Sequence, residues 1–410
     1  MMGQKKDKMQ SEFSKKFIVS GEVQYLPGSF TELEKLLIEA KKENKKLRVK
    51  LGIDPTSTDL HLGHTVCLHY LRRFQELGHT PVLIIGGFTA MVGDPSGRNE
   101  ARPPLTYEQV QSNAKTYLNQ VSKILDTSPS NFEVVNNYDW LGKLSSSEIL
   151  KLAHLVTINQ LIGKEAFGNR IDKGEPLYLH EVLYPILQGY DSVAIKADIE
   201  LGGIDQTYNV LFGRHMQKHF KQKEQLAIFL PLLIGLDGSK KMSKSFGNYI
   251  ALNDSPGEVF GKSMSIPDEL IIHYFKLVSD LKTEQIFNYE EDLKAGKNPR
   301  DIKMDLAHNL VKQLHSKAAA DEAKEGFIKQ FQKSEIPDDI EEYKLIEPIK
   351  VTDLMFKANL VPSKGEAKRL IDGGGVKLQS VKVDDPNLLI TSDHKNAVLQ
   401  IGKRKFVKII

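Results

Sequence analysis

The chain has 410 residues, of which 40% are hydrophobic and 27% charged, with a net charge of +3; that excludes a disordered chain and predicts two or three domains. A single cysteine, Cys67, excludes an intrachain disulfide and fits a reducing cytoplasm, where the residue reads as a small buried hydrophobe. The most apolar run, Leu226 to Leu236, is 11 residues long and holds Pro231, too short to span a bilayer, and the N-terminal lysines (Lys5, Lys6, Lys8, Lys15, Lys16) have no apolar run behind them, so neither a membrane span nor a signal peptide is expected.

Residues 1–45 read as an N-terminal appendage ending in a helix striped by Phe30, Leu33, Leu36, Leu37 and Ala40, with Lys41 to Lys46 as a charged exit. Leu47, Val49, Leu51 and Ile53 then alternate as a half-buried strand, and Leu68, Leu71, Phe74 and Leu77 recur at helical spacing until Gly78. Between them lies Asp54-Pro55-Thr56-Ser57-Thr58-Asp59-Leu60-His61-Leu62-Gly63-His64. The two histidines sit where a strand hands over to a helix N-terminus, whose unpaired amides and dipole favour phosphate. Their imidazoles add donors for charge that develops in a reaction, and Gly63 leaves room for a nucleotide. Alone, such a pair reads equally well as two surface histidines.

Pro81 to Ile85 is a continuous apolar run of the kind a buried parallel strand has. It opens into the glycine-rich loop from Gly86 to Arg98, which matches neither the Walker pattern nor GxGxxG. Asp94, Arg98 and Arg102 nevertheless fall at a strand's carboxyl end, where open α/β sheets bind ligands. Phe132 to Val135 predicts another strand, ending in Asn136-Asn137, and a capping box at Ser145 and Glu148 starts a long helix running to Leu161.

Farther on, Tyr184, Gln188 and Asp191 stand at i, i+4 and i+7 on one helix face, opposite Val182, Leu183, Ile186 and Leu187. That face is either an ordinary solvated one or a polar pocket wall. Gly202-Gly203-Ile204-Asp205-Gln206 is a second strand-to-helix turn, Leu226 to Gly235 the last strand, and Asp237-Gly238 leads into Lys241-Met242-Ser243-Lys244-Ser245. The alternation predicts an α/β fold, a doubly wound parallel-sheet (Rossmann-like) catalytic domain over residues 46–261.

From Pro267 the strand signals stop, and apolar residues from Leu270 to Leu314 at helical spacing predict an α-helical domain over 262–332. Residues 333–349 read as an acidic linker, and 350–410 as a small α+β domain with a capping box at Ser363 and Glu366, a glycine exit at Gly373 to Gly375, and short strands. From Lys350 to Ile410 there are 12 Lys and Arg against 6 Asp and Glu, a charge of +6, which leaves 44 against 47, or −3, for the rest. The tail is thus the part suited to a polyanion.

His61-Leu62-Gly63-His64 and, about 180 residues later, Lys241 to Ser245 resemble the two signature motifs of class I aminoacyl-tRNA synthetases. Tyr184-x-x-x-Gln188-x-x-Asp191, the Gly93-Asp94-Pro95-Ser96-Gly97 loop and Gly202 to Gln206 resemble tyrosyl-tRNA synthetases, and the tail, with Glu366 to Ile371, resembles the S4 RNA-binding domain. The similarity covers nearly all of residues 47–410. It implies a cytoplasmic homodimer that activates L-tyrosine with ATP, brought as its Mg²⁺ complex, and charges tRNA(Tyr), with no metal ligands in the protein itself.

By that resemblance Thr56, His61, His64, Lys241 and Lys244 form the catalytic set. Asp54, Gly63 and Asp205 join His61, His64 and Lys244 around ATP; Asp94, Tyr184 and Gln188 hold the α-ammonium; Asp191 accepts the phenol hydroxyl; and Gln206 orients the carboxylate or ribose end. Lys364, Lys368 and Arg369 would face RNA. One position departs: many tyrosyl synthetases carry a tyrosine where this chain has Lys50, so no second ligand of the phenol hydroxyl is implied. The form Val49-Lys50-Leu51-Gly52 resembles a separate bacterial branch. Rival readings are a tryptophanyl-tRNA synthetase, another HxGH nucleotidyl-transferring ligase, and an RNA-binding protein built on an inactive synthetase.

Overall fold

The computed structural model describes residues 23–95, 105–162, 165–331, 341–379, 381–402 and 405–410, which divide into two compact units, Met1–Lys324 and Glu325–Ile410. The N-terminal lysines, Arg98, Arg102, Lys403 and Arg404 lie outside the described residues.

The first unit is built on a six-stranded sheet of β1 (Gln24–Leu26), β2 (Arg48–Ile53), β3 (Thr80–Ile85), β4 (Glu133–Asn136), β5 (Ile199–Gly203) and β6 (Leu226–Leu230), in the order β1-β6-β5-β2-β3-β4. Every pairing is parallel except β1 with β6, as the doubly wound reading requires. The chain runs outward from β2 through β3 to β4, then crosses back to β5 and β6. The β2–β5 boundary is therefore the switch point, and a crevice opens at the strands' carboxyl ends there.

Three expectations need correction. The appendage is not outside the sheet: Gln24 to Leu26 pairs antiparallel with Phe229 to Ala227, and the Tyr25 hydroxyl lies 2.6 Å from that of Tyr70. So short an edge strand has no apolar period to reveal it. The helix expected from Ser145 to Leu161 breaks into Ser146–His154 and Ile158–Ile162, because Thr157 and Gln160 form a second capping box, Thr157 N to Gln160 Oε1 at 2.9 Å and Gln160 N to Thr157 Oγ1 at 3.2 Å. And β2 is not half-buried with a wet face: Lys50 is 1% exposed between the buried Val49 and Leu51, since parallel strands are covered on both sides.

Helices Pro256–Met264, Ile271–Val278, Thr283–Lys294 and Pro299–Leu314 bury the predicted stripe of Ile302, Leu306, Leu310 and Leu314, and they belong to the same compact unit as the sheet. The second unit has a core of Val351, Leu354, Ala367, Ile371, Leu399 and Val407 under helices Val351–Lys357 and Lys364–Asp372. The described part of the expected linker (333–349), residues 341–349, enters this unit as structure: Glu342–Tyr343 pairs in parallel with Lys408–Ile409, and Ile349–Lys350 pairs with Leu389–Ile390. Tyr343, Leu345 and Ile349 pack on the core, an apolar contribution hidden by the acidic composition around them. Among the described residues, no helix is long and apolar enough to cross a membrane.

Candidate active site

A cavity of about 650 Å³ occupies the crevice at the switch point, and every catalytic or substrate residue expected from the sequence lines it except Lys244. The polar face of Tyr184, Gln188 and Asp191, on helix Leu179–Ala194, is thus a pocket wall; Asp191 is only 3% exposed.

At one end stands helix Leu62–Glu76 with His61 as its N-cap. Gly63 N donates to His61 Nδ1 at 3.2 Å, and His61 N donates to His64 Nδ1 at 3.2 Å. Among the described residues the His61 amide has no other acceptor, so His64 Nδ1 serves as its acceptor, while the His61 carbonyl takes His64 N at 2.9 Å. Both rings then carry their proton on Nε2, available to the cavity. Burial holds both neutral at pH 7, pushing His64 down to about 4 and His61 to about 2, where the neighbouring ring, Lys244 and Lys241 add to the effect. A Cβ on Gly63 would come within 2.9 Å of the His61 ring, so glycine is what allows this cap.

The lysine loop is joined to the histidines by backbone: Leu62 N donates to Ile250 O at 3.0 Å and Leu252 N to Leu60 O at 2.9 Å. Lys241 pairs with Asp205 at 2.6 Å. Lys244 turns aside, 3.7 Å from Asp59 and 5.9 Å above the Tyr249 ring, and desolvation lowers its pKa. Two flexible cations are therefore parked on carboxylates beside the cavity mouth, from which longer reach toward an anion costs only half-buried ion pairs. The loop Pro55 to Leu60 is braced from behind: Asn113 donates to Pro55 O, Tyr117 to Ser57 O, and Leu60 N to Gln120 Oε1, at 2.9, 2.7 and 2.7 Å.

At the opposite end, Asn137 Nδ2 donates to Asp191 Oδ2 at 3.1 Å and Trp140 Nε1 to Asp191 Oδ1 at 2.8 Å. Burial still raises Asp191 to about 7, against the pull of Lys50 and these donors. Between the two ends, Tyr184 donates to Asp54 Oδ2 at 2.9 Å and Thr89 to Asp54 Oδ1 at 2.7 Å, which ties Asp54, expected beside the nucleotide, to the Tyr184 face instead. Asp94 accepts from Gln206 Nε2 at 2.8 Å and Asn209 Nδ2 at 3.2 Å. Sequence reasoning missed Thr89, Asn137, Trp140, Glu200 and Asn209; the sole tryptophan so near Asn136-Asn137 at a strand end was the one available signal.

In the second unit Lys364, Lys368 and Arg369 are exposed on one helix; Lys364 pairs with Asp353 at 2.7 Å and Arg369 lies 3.5 Å from Glu366.

A paired-histidine helix start and a lysine loop facing one cavity at the switch point of a parallel sheet define a class of nucleotide-using enzymes. Residues 41–332 match the family model for class I tRNA synthetases (W and Y), and the chain belongs to that family. Its curated relatives include a tyrosine–tRNA ligase of Mannheimia succiniciproducens, 47% identical over 91% of this chain and 93% of the relative. Those of Haemophilus ducreyi, 48% identical over 92% and 94%, and Thermotoga maritima, 47% over 92% and 93%, carry the same name. The fold is shared with the C-terminally truncated mitochondrial tyrosyl-tRNA synthetase of Aspergillus nidulans (TM-score 0.65, 21% identity, 81% of this chain and 100% of that one). It is shared as well with the L-tyrosine complex from Archaeoglobus fulgidus (TM-score 0.59, 24% identity, 77% and 99%).

Proposed function

We propose that the chain is a tyrosine–tRNA ligase: it activates L-tyrosine with ATP and transfers the tyrosyl group to the 3′ end of tRNA(Tyr). The observation that carries the choice of tyrosine is Asp191, a buried carboxylate at the closed end of the cavity whose two partners are both donors. A phenol O–H entering there gives the carboxylate a further donor, whereas an apolar ring leaves it less paired in a dry site.

The amino acid's carboxylate attacks the α-phosphorus of ATP, the bond to the bridging oxygen breaks, and pyrophosphate leaves with Mg²⁺. No protein nucleophile is needed, so catalysis is positioning and charge stabilisation. His61 and His64 present Nε2–H groups to the α-phosphate side, with Thr56, Gly63 and Asp205 around the nucleotide. Lys241 and Lys244 leave Asp205 and Asp59 to meet the β- and γ-phosphates and the departing pyrophosphate. Asp94, Tyr184 and Gln188 take the α-ammonium, and Gln206 the carboxylate end. In the second step a terminal ribose hydroxyl of tRNA attacks the adenylate carbonyl and AMP leaves.

The S4-like tail, through Lys364, Lys368 and Arg369, holds tRNA mainly by its phosphates, and the working form is a cytoplasmic homodimer. Sedimentation should give twice 46.2 kDa; a stable monomer counts against the dimer. The decisive experiment is ATP–pyrophosphate exchange with each of the twenty amino acids, followed by charging of tRNA. Exchange with tyrosine alone is expected. Exchange with tryptophan overturns the pocket assignment, and none with any amino acid favours an RNA-binding protein on an inactive synthetase.

A further inference from the structure

Lys50 and Glu200 stand opposite each other on β2 and β5, at the switch point, and both line the cavity. They are 1% and 2% exposed and paired at 2.8 Å. Desolvation offsets much of the attraction in such a pair, so stability alone is a poor reason to keep it.

The neighbours fix its charge state. The three protons of the Lys50 ammonium meet three acceptors: Glu200 Oε1, Ser192 Oγ at 2.7 Å and the Gln188 carbonyl at 3.1 Å. Glu200 Oε2 meets donors, the Ser192 hydroxyl at 3.0 Å and the Gln225 amide. Gly213 lets the network close, since a Cβ there would lie 2.6 Å from Ser192 Oγ.

Asp191 is one residue from Ser192. Around it, β2 contributes the cation Lys50, β5 the anion Glu200, and the segment after β4 only the neutral donors Asn137 and Trp140. From Val182 to Ala194 its own helix has no other charged residue. Glu200 pushes Asp191 toward its protonated form and the Lys50 cation opposes that push.

We infer that Lys50 is a positioning residue for the substrate's phenol: its pinned ammonium holds Asp191 as the carboxylate that accepts the hydroxyl, with no proton left to bond the substrate itself. The inference rests on the tyrosine reading above. It makes the hydroxyl the business of one acceptor whose charge is set from the neighbouring strands. Lys50 and Glu200 act on Asp191 in opposite senses, which is what the two variants below separate.

The test is the pH dependence of the tyrosine KM in pyrophosphate exchange, with the ATP KM as control. Lys50→Met alone strands Glu200, so the informative variants are the double Lys50→Met/Glu200→Gln and the single Glu200→Gln. The buried Gln225 Oε1 has no partner, so its amide can turn to suit the single change. The double variant should move the acid limb of the tyrosine KM up by about one pH unit, raising KM about tenfold below it, and the single should move it down. The ATP KM should stay level in both. Packing damage moves both variants the same way, so a common direction, or no movement of the limb, overturns the inference. If the double does not fold, the single decides: a downward shift supports the inference and an unmoved limb overturns it. Wild-type protein with no tyrosine-dependent exchange would refute the functional reading instead.

Discussion

The two ends of the cavity are built on opposite principles. The histidine and lysine end is made of loop and helix-start groups, with cations on exposed or half-buried carboxylates at 2.6 and 3.7 Å, and it can rearrange around charge that arrives with a nucleotide. The Asp191 end is closed and rigid, with Asp191, Lys50 and Glu200 each held by partners from β2, β5, the segment after β4 and one helix. An end that must follow moving charge needs loosely held cations. An end that must tell a hydroxyl from a hydrogen needs a fixed acceptor whose misfit has a cost.

Damage at the rigid end should therefore appear as lost stability or substrate affinity, and damage at the mobile end as lost rate. The largest effect expected is Lys50→Met, which leaves Glu200 buried and unpaired and should lower the unfolding free energy by about 3–5 kcal/mol in urea titration, with much of it recovered by Glu200→Gln. Next is Lys244→Ala, which should reduce kcat for pyrophosphate exchange about 10²- to 10³-fold, roughly 3–4 kcal/mol, with the tyrosine KM unchanged. An equal loss in tyrosine affinity would erase the distinction.

The pH dependence of stability should carry both signs. His64 has a folded pKa of about 4, below its unfolded value, so the unfolded chain binds the proton first and stability falls as pH drops from about 6.5 to about 4, by about 3 kcal/mol for this group. Half-buried His69, also lowered to about 4 by desolvation, acts in the same direction. Asp191 is raised to about 7, so the folded chain binds its proton first and stability falls as pH rises from about 4 to about 7. Unfolding free energy measured against pH in His64→Gln and Asp191→Asn should lose these opposite slopes. The smallest effect is Asn137→Ala, which removes one donor to Asp191 and should raise the tyrosine KM by about fivefold, roughly 1 kcal/mol, leaving ATP untouched.

The same contrast governs what the sequence made legible. His61 and His64 are three residues apart because a helix N-terminus needs them there, and Lys241 and Lys244 are three apart within one loop, so each motif stands whole in the chain. Tyr184, Gln188 and Asp191 share a helix face and were legible as a row, though only burial told pocket from water. The rigid end's support was not legible. Lys50 and Glu200 are about 150 residues apart and meet through strand pairing alone, and a lysine alternating with valine and leucine reads as a solvent face until the second layer of helices is known. Asn137 and Trp140 come from a further strand end, and Gln24 to Leu26 is too short to carry a period.

Equilibrium binding of tyrosine to the nucleotide-free protein tests the division most directly, with wild type compared against Asp191→Asn and His64→Ala. Tyrosine should bind His64→Ala as it binds wild type, although that variant makes little adenylate, and it should be lost from Asp191→Asn. Tyrosine affinity that survives at Asp191→Asn and falls at His64→Ala would contradict the assignment of the two ends.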